Sequence, residues 1–445
     1  MNFKNILKNK PRVLVIGGGI TGKAVVEFLK KFDCEILLVD GKPQPSICGI
    51  SYFPDSIELS ALGEIQLAVK SPGFKPSHPL VVKLNEAGIP IVSEITLARS
   101  FFRGKIIGIT GTDGKSTTTA LTFHIIQKSF PKSKMGGNIG VPFIEFCEED
   151  LDFAVLELSS YQLDDSDYLN LDISAILNIA PDHLERHGTM ENYLEAKKRI
   201  INLESENSVF VTNKRLIEKL NLEALSPKGK SVLFGETKDS SARISQEESR
   251  IYTNLFTYST KEFPLEGKHN LENLAASILL CEAAGCLPEN IQKAISDFTG
   301  LLYRFQKIKE YNGITFINDS KSTNIHSMLS GLSGISCITP IILIIGGKQK
   351  NEELTPLTNR LKELNAEVFL IGEARLHWEN ELSVCLNDRL HVLENLTEAV
   401  KAIQERVSKS KFEMIIFSPA CASFDQYNNF EERGKHFTDL VNQYF

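Results

Sequence analysis

Ile106-Ile107-Gly108-Ile109-Thr110-Gly111-Thr112-Asp113-Gly114-Lys115-Ser116-Thr117 decides how this chain is read. An apolar run of strand length ends in a glycine-bordered turn, and Lys115-Ser116 opens a stretch of helical pattern reaching residue 128. The N–H groups of such a turn can wrap a triphosphate, with the Lys115 ammonium against the β- and γ-oxygens and the Ser116 hydroxyl on Mg²⁺. The stretch departs from the general phosphate-loop rule, because Ile109 stands six positions before Lys115 where a glycine is usual. The alternative is an ordinary turn carrying a solvated lysine. The strand-turn-helix context favours ATP, with Gly111, Thr112, Asp113, Gly114, Lys115, Ser116 and Thr117 as its contacts.

Working outward, β-rich apolar runs alternate with helical patterns, which predicts an α/β protein with parallel sheets. Three segments emerge. Residues 1–98 hold strands at 12–16, 35–39 and 66–70 and a helix at 21–31, a Rossmann-like arrangement. Residues 99–300 form a central ATPase segment of phosphate-loop type, with strands at 105–109, 153–158, 173–179 and 208–212 and helices at 115–128, 191–203 and 271–284. Within it, the polar stretch 226–258 reads as exposed hairpins. Residues 301–445, with strands at 315–318, 341–345, 367–370 and 414–417, form a second Rossmann-like segment.

Gly17-x-Gly19-x-x-Gly22 follows a strand and opens a helix, and Asp40 ends the next strand. That is a dinucleotide-type fingerprint in its required context, able to take a diphosphate on the helix N-terminus and a ribose on Asp40. Glu157 and His183 follow two further strands, where a carboxylate and an imidazole would stand beside a metal-bound phosphate. Without that context Glu157 is a solvated strand-end acid, and His183 with His187 a surface pair. In the last segment, polar runs at 318–324, 346–350 and 418–423 each follow a strand, and three such ends on one edge predict an amino-acid or phosphate pocket.

Composition narrows the class. The 445 residues carry a net charge of −7, are 42% hydrophobic and 24% charged, and show no Lys/Arg block, which argues against sequence-independent nucleic-acid binding. The longest apolar runs fall far short of the roughly 20 residues a bilayer span needs. No signal-type h-region stands at the N-terminus, so a cytoplasmic chain is expected. Eight scattered cysteines without a Cys-x-x-Cys pair read as buried reduced thiols.

Together these motifs resemble the Mur ligase family, the ATP-dependent amide-forming enzymes of peptidoglycan precursor synthesis, and within it the branch that adds D-glutamate. The resemblance rests on residues 110–117, on Gly-Gly-Asn138-Ile-Gly, on Glu157-Leu-Ser-Ser-Tyr-Gln-Leu, on Asn178-Ile-Ala-Pro-Asp-His183-Leu and on Tyr193-Leu-Glu-Ala-Lys197. It continues through Gly267-Lys-His-Asn270-Leu-Glu-Asn273, Tyr303-Arg304-Phe305, residues 319–324 and residues 418–427, followed by Phe430 and Arg433-Gly434.

It implies catalysis by Lys115, Glu157, His183 and Lys197, with ATP also held by Asn270, Asn273, Arg304 and Asp319. It implies a UDP-N-acetylmuramoyl-L-alanine substrate on Gly19, Thr21, Asp40, Ser71, Gly73 and Asn138. D-glutamate would lie on Thr323, Lys350, Ser423 and Phe430. Two Mg²⁺ sites would use Ser116, Glu157, His183 and Lys197 as its carbamate. A monomer is expected. The rivals are a relative adding another amino acid and, from the first glycine turn alone, a nicotinamide or flavin oxidoreductase, which leaves the Lys115 turn unexplained.

Overall fold

The computed structural model describes residues 3–41, 50–220, 228–349 and 353–445, and Lys350 lies outside them. The chain divides into two compact units, Met1–Thr299 and Gly300–Phe445.

The first unit holds two sheets. Its smaller sheet runs in the order Ser51–Pro54, Glu35–Asp40, Arg12–Ile16, Leu67–Lys70, Ile91–Ser93, all parallel. Val13, Leu14, Val15 and Ile16 are all buried, as a central strand covered on both faces requires. Gly22 lets the helix Ile20–Leu29 close on the preceding turn, for a Cβ there would stand 1.6 Å from the Gly17 carbonyl oxygen.

The larger sheet has nine strands. Ser133–Gly137, Phe153–Glu157, Lys105–Thr110, Leu171–Ile176, Glu204–Asn213, Lys230–Gly235 and Ala242–Ser245 follow one another in parallel. Only Arg250–Thr253 and Thr257–Ser259 then turn back antiparallel. The expectation of hairpins over 226–258 holds from Ala242 onward, where Ala242–Ser245, Arg250–Thr253 and Thr257–Ser259 pair antiparallel in succession, and is corrected for Lys230–Gly235, which pairs parallel on both sides and extends the main sheet. Polar alternation there reflects a sheet margin with one face wet, which hairpins and parallel margins share. One apolar cluster runs from Phe3 and Val13 through Phe102 and Phe143 to Leu158 and Phe210.

The second unit is a six-stranded sheet, ordered Gln306–Tyr311, Ile314–Asn318, Met414–Phe417, Ile341–Gly346, Ala366–Ile371, Leu390–Val392. Its first pair is antiparallel and the rest parallel. Separate apolar clusters cover its two faces, one around Leu343 and Trp378, the other around Ile342 and Phe437. Asn318 and Ile344 are both in register with Phe417, which brings the ends of three neighbouring strands to one edge.

The thiols are less uniformly buried than their spacing suggests. Of the seven described, Cys281, Cys286 and Cys421 are buried and Cys337 is exposed.

Candidate active site

The phosphate-type turn leaves the central strand Lys105–Thr110 and enters the helix Lys115–Ser129 through Gly114, whose φ of +76° is left-handed. A Cβ at Gly114 would stand 2.3 Å from Asn273 Oδ1, so the glycine serves both conformation and close approach. The Lys115 ammonium curls over the turn, donating to the carbonyls of Gly111 at 2.9 Å and Thr112 at 2.6 Å. Thr118 Oγ1 donates to Asn273 Oδ1, and Asn273 Nδ2 to Asn270 Oδ1, so Asn273 lies against the first turn of this helix and Asn270 behind Asn273.

Asn178, which sequence reasoning quoted but gave no role, braces the turn. Its Oδ1 accepts from the N–H groups of Thr112 and Asp113, at 3.1 and 2.8 Å, and its Nδ2 donates to the Asp113 carbonyl at 3.0 Å. Thr112 Oγ1 lies 3.1 Å from the Tyr193 hydroxyl and accepts from the Ala180 N–H. Tyr193 comes from the helix Met190–Asn202, one turn before Lys197.

Lys197 is 1% exposed and donates to the Gly111 carbonyl at 2.8 Å, with its Nζ 4.7 Å from the Tyr193 ring centroid. Burial, reinforced by the neighbouring Lys115 charge, pulls its ammonium well below the usual lysine range. Asp182, Glu157 and Asp113 act against that shift without reversing it. The adjacent Lys198 instead pairs with Glu195 at 2.8 Å. The helix therefore turns Lys197 inward and Lys198 toward a surface acid.

Glu157 ends its strand almost completely buried. Its Oε1 accepts from Asn138 Nδ2 at 2.7 Å, while Oε2 is buried with no hydrogen-bond partner among the described residues. An orphaned carboxylate oxygen beside the phosphate turn fits a hard divalent cation such as Mg²⁺, which prefers oxygen ligands. His183 has left-handed backbone at φ +53°, which costs roughly 1–2 kcal/mol for a residue with a Cβ, and its half-exposed ring lies near Asp182 and Tyr161. Among the described residues no three His, Cys, Asp or Glu side chains are gathered closely enough to hold a metal. The alternative of His183 and His187 as a surface pair is corrected for His187: it is buried, 2.9 Å from Ser160 Oγ and 3.6 Å from Asp164.

On the smaller sheet, the Gly18 N–H donates to the Asp40 carboxylate at 2.5 Å, and a Cβ at Gly17 would touch Ser71. Gly19 precedes the helix bearing Thr21 as its N-cap, and Gly73 sits in the turn after Ser71 with open space where its Cβ would be. The predicted nucleotide end and the Ser71–Gly73 turn are thus neighbours.

In the second unit the three strand-end loops meet. Asp319 is buried and accepts from Ser322 and Ser418 hydroxyls and from the Phe305 N–H, while burial pushes its carboxyl above the usual range. Arg304 lies between Tyr303 and Phe305, both left-handed, at φ +61° and +44°. Lys348 and Ala422 exchange backbone hydrogen bonds, joining the loop after Gly346 to the one holding buried Ser423. Phe430 is tied in through its carbonyl by Ser320 Oγ, and Thr323 is half-buried in the first loop. Buried Arg433, quoted at the sequence level without a role, binds the Ser320 and Ala422 carbonyls and so clasps two of the loops.

Fold and site together define a class: a phosphate-turn α/β enzyme with a nucleotide-type glycine turn on an accompanying sheet. Comparison with known proteins narrows it. The MurD-like N-terminal domain of Mur ligases matches residues 11–93, the Mur ligase middle domain residues 109–281, and the Mur ligase glutamate ligase domain residues 303–421. The chain is 46% identical over 460 aligned residues to the UDP-N-acetylmuramoylalanine–D-glutamate ligase of Leptospira interrogans, covering 100% of this chain and 99% of that one. The Aquifex aeolicus protein of that name is 34% identical, with 98% and 99% covered. Among solved structures, the Thermotoga maritima UDP-N-acetylmuramate-alanine ligase superposes with a TM-score of 0.58 at 19% identity, covering 97% of this chain and 99% of that chain. Acinetobacter baumannii MurF superposes with a TM-score of 0.61 at 16% identity, covering 97% and 92%, and both likenesses concern the fold alone. The chain belongs to the Mur ligase family.

Proposed function

We propose that this chain joins D-glutamate to UDP-N-acetylmuramoyl-L-alanine at the expense of ATP, within peptidoglycan precursor synthesis. The identity to D-glutamate ligases over the whole chain carries this reading, and the Lys115 turn is the device it requires. A carboxylate resists attack by an amine because attack adds charge to an anion. Phosphorylation removes that obstacle. The alanyl carboxylate oxygen attacks the γ-phosphorus of ATP, ADP leaves, and an acyl phosphate forms. The D-glutamate amine then attacks the acyl carbon, and phosphate leaves with the former carboxylate oxygen.

Lys115 and the turn N–H groups hold the transferring phosphoryl group, a task of positioning and electrostatics. Asn178, by taking the Thr112 and Asp113 N–H groups, braces the turn from behind and fixes how its remaining part faces the phosphoryl group. Asn270, Asn273, Arg304 and Asp319 are the further ATP contacts. The nucleotide sugar lies along Gly19, Thr21, Asp40, Ser71, Gly73 and Asn138, and D-glutamate on Thr323, Lys350, Ser423 and Phe430. Segments 1–98, 99–300 and 301–445 serve as the respective binding domains. We take the chain to work in the cytoplasm, as a monomer.

Mg²⁺, at two sites, neutralises phosphoryl oxygens when bound, and Ser116, Glu157, His183 and a carbamate on Lys197 would hold it. The orphaned Glu157 Oε2 supports that set. A neutral Lys197 amine, favoured by its burial and by Lys115, can add to carbon dioxide with loss of one proton, turning a buried cation into an anion.

Phosphate release with UDP-N-acetylmuramoyl-L-alanine, ATP and Mg²⁺ across an amino-acid panel tests the reading. Turnover with D-glutamate and not its L-enantiomer is expected. Preference for another amino acid would reassign the substrate.

A further inference from the structure

Ser71, Pro72, Gly73 and Phe74 form the turn beside the glycine turn of the smaller sheet, and Glu157 and His183 stand at the edge of the larger one. A substrate with its nucleotide at the first place and its carboxylate at the second must span both. The offset between them is held by three charged side chains that the mechanism above does not use.

Lys70 ends the strand before the turn and forms an ion pair with Asp165, each side chain only 6% exposed. The same ammonium donates to the Phe74 carbonyl at 2.9 Å. Arg186, three residues after His183, reaches that carbonyl at 3.2 Å and the Pro72 carbonyl at 3.4 Å. Its guanidinium also lies 5.0 Å from the ring centroid of Tyr161. Asp165 directly follows the helix Ser160–Asp164, which begins shortly after Glu157 and whose start is held by a capping box between Ser159 and Gln162, so a short ordered segment separates Asp165 from Glu157. His187 ties the segment of Arg186 to the same helix through Ser160. On the other side, Phe74 and Ser71 both lie against Gly17.

We propose that Lys70, Asp165 and Arg186 form a latch that sets the offset of the 71–74 turn from the catalytic edge, making them positioning residues for the nucleotide-sugar substrate. A buried ion pair recovers its desolvation cost poorly, and two apolar side chains of similar size commonly stabilise a fold as well or better. Apolar side chains, however, cannot donate to the Phe74 carbonyl. The latch therefore holds a particular geometry rather than adding stability, and that difference can be measured.

The inference rests on the substrate assigned above, so affinity and turnover are read separately on the full chain, with calorimetric titration of UDP-N-acetylmuramoyl-L-alanine and with steady-state kinetics. Arg186→Gln is expected to weaken nucleotide-sugar binding and raise its KM roughly tenfold, with the KM for ATP unchanged, as a local coupling effect would. Arg186→Lys recovers part of the loss. Asp165→Asn, which leaves the Lys70 cation unpaired, lowers the melting temperature and raises the same KM. The double variant Lys70→Met with Asp165→Leu regains the melting temperature while its nucleotide-sugar KM stays raised. Recovery of both together, or an unchanged nucleotide-sugar affinity in Arg186→Gln, would overturn the latch. A wild-type chain that binds the nucleotide sugar but makes no product with D-glutamate contradicts the assigned reaction alone, and the variants' affinities still decide the latch. A wild-type chain that binds no UDP-linked sugar overturns both.

Discussion

At the scale of single residues, burial changes what a charged group is. Glu94 opens a short helix, where an acid is ordinarily a solvated partner of the helix dipole. Here it is 3% exposed and accepts the Ile144 N–H at 2.6 Å, and burial pushes its carboxyl up to about 7, with Glu145 adding to the rise. A folded-state value above the unfolded 4.5 means the neutral form is favoured by folding, so this stabilisation is present below pH 4.5 and is lost as the pH climbs through 7. Glu94→Gln, which keeps the acceptor oxygen, should therefore gain stability over the wild type between pH 5 and 8, on the order of 3 kcal/mol at most. Paired urea titrations at the two pH values check it; a gain that is the same at both would contradict the assignment. Lys197 shows the same physics with the opposite charge. Lys197→Ala should lose about a hundredfold or more of its activity, as removal of a charge-stabilising group does. A small added carboxylic acid should restore part of it by standing in for the proposed carbamate. No response to the acid would count against the carbamate.

At the scale of elements, the phosphate turn was legible from its own residues, because a strand, glycines and Lys-Ser at that spacing carry their meaning locally. The brace behind it was not. Asn178 lies 66 residues from Thr112, and nothing in either neighbourhood declares the pair. The same holds for Lys70 with Asp165, 95 residues apart, and for the parallel pairing of Lys230–Gly235, which its alternation could not distinguish from a hairpin. Short-range pattern reports which face of an element is apolar; it does not report which distant polar group that element will meet. Asn178→Ala should cost about 2 kcal/mol in stability from its lost hydrogen bonds, and should raise the KM for ATP more than that for the nucleotide sugar. Urea melts with separate KM determinations test this. Equal increases for the two substrates would show that Asn178 supports the unit as a whole rather than the turn.

At the scale of the molecule, the alternation of strands and helices foretold parallel sheets in three segments, and three sheets are present, one wholly parallel and two with antiparallel margins. The family likeness extends over the full chain, and the residues expected to hold ATP are drawn from both compact units. The reaction they serve makes one demand that no binding experiment can examine: the carboxylate must give up an oxygen to phosphate. The decisive measurement is single turnover with the alanyl carboxylate of UDP-N-acetylmuramoyl-L-alanine labelled with heavy oxygen, followed by mass analysis of the phosphate released in the presence of ATP and D-glutamate. An acyl phosphate predicts that each phosphate carries one labelled oxygen. Unlabelled phosphate, with the amide formed, would contradict the mechanism derived from the Lys115 turn.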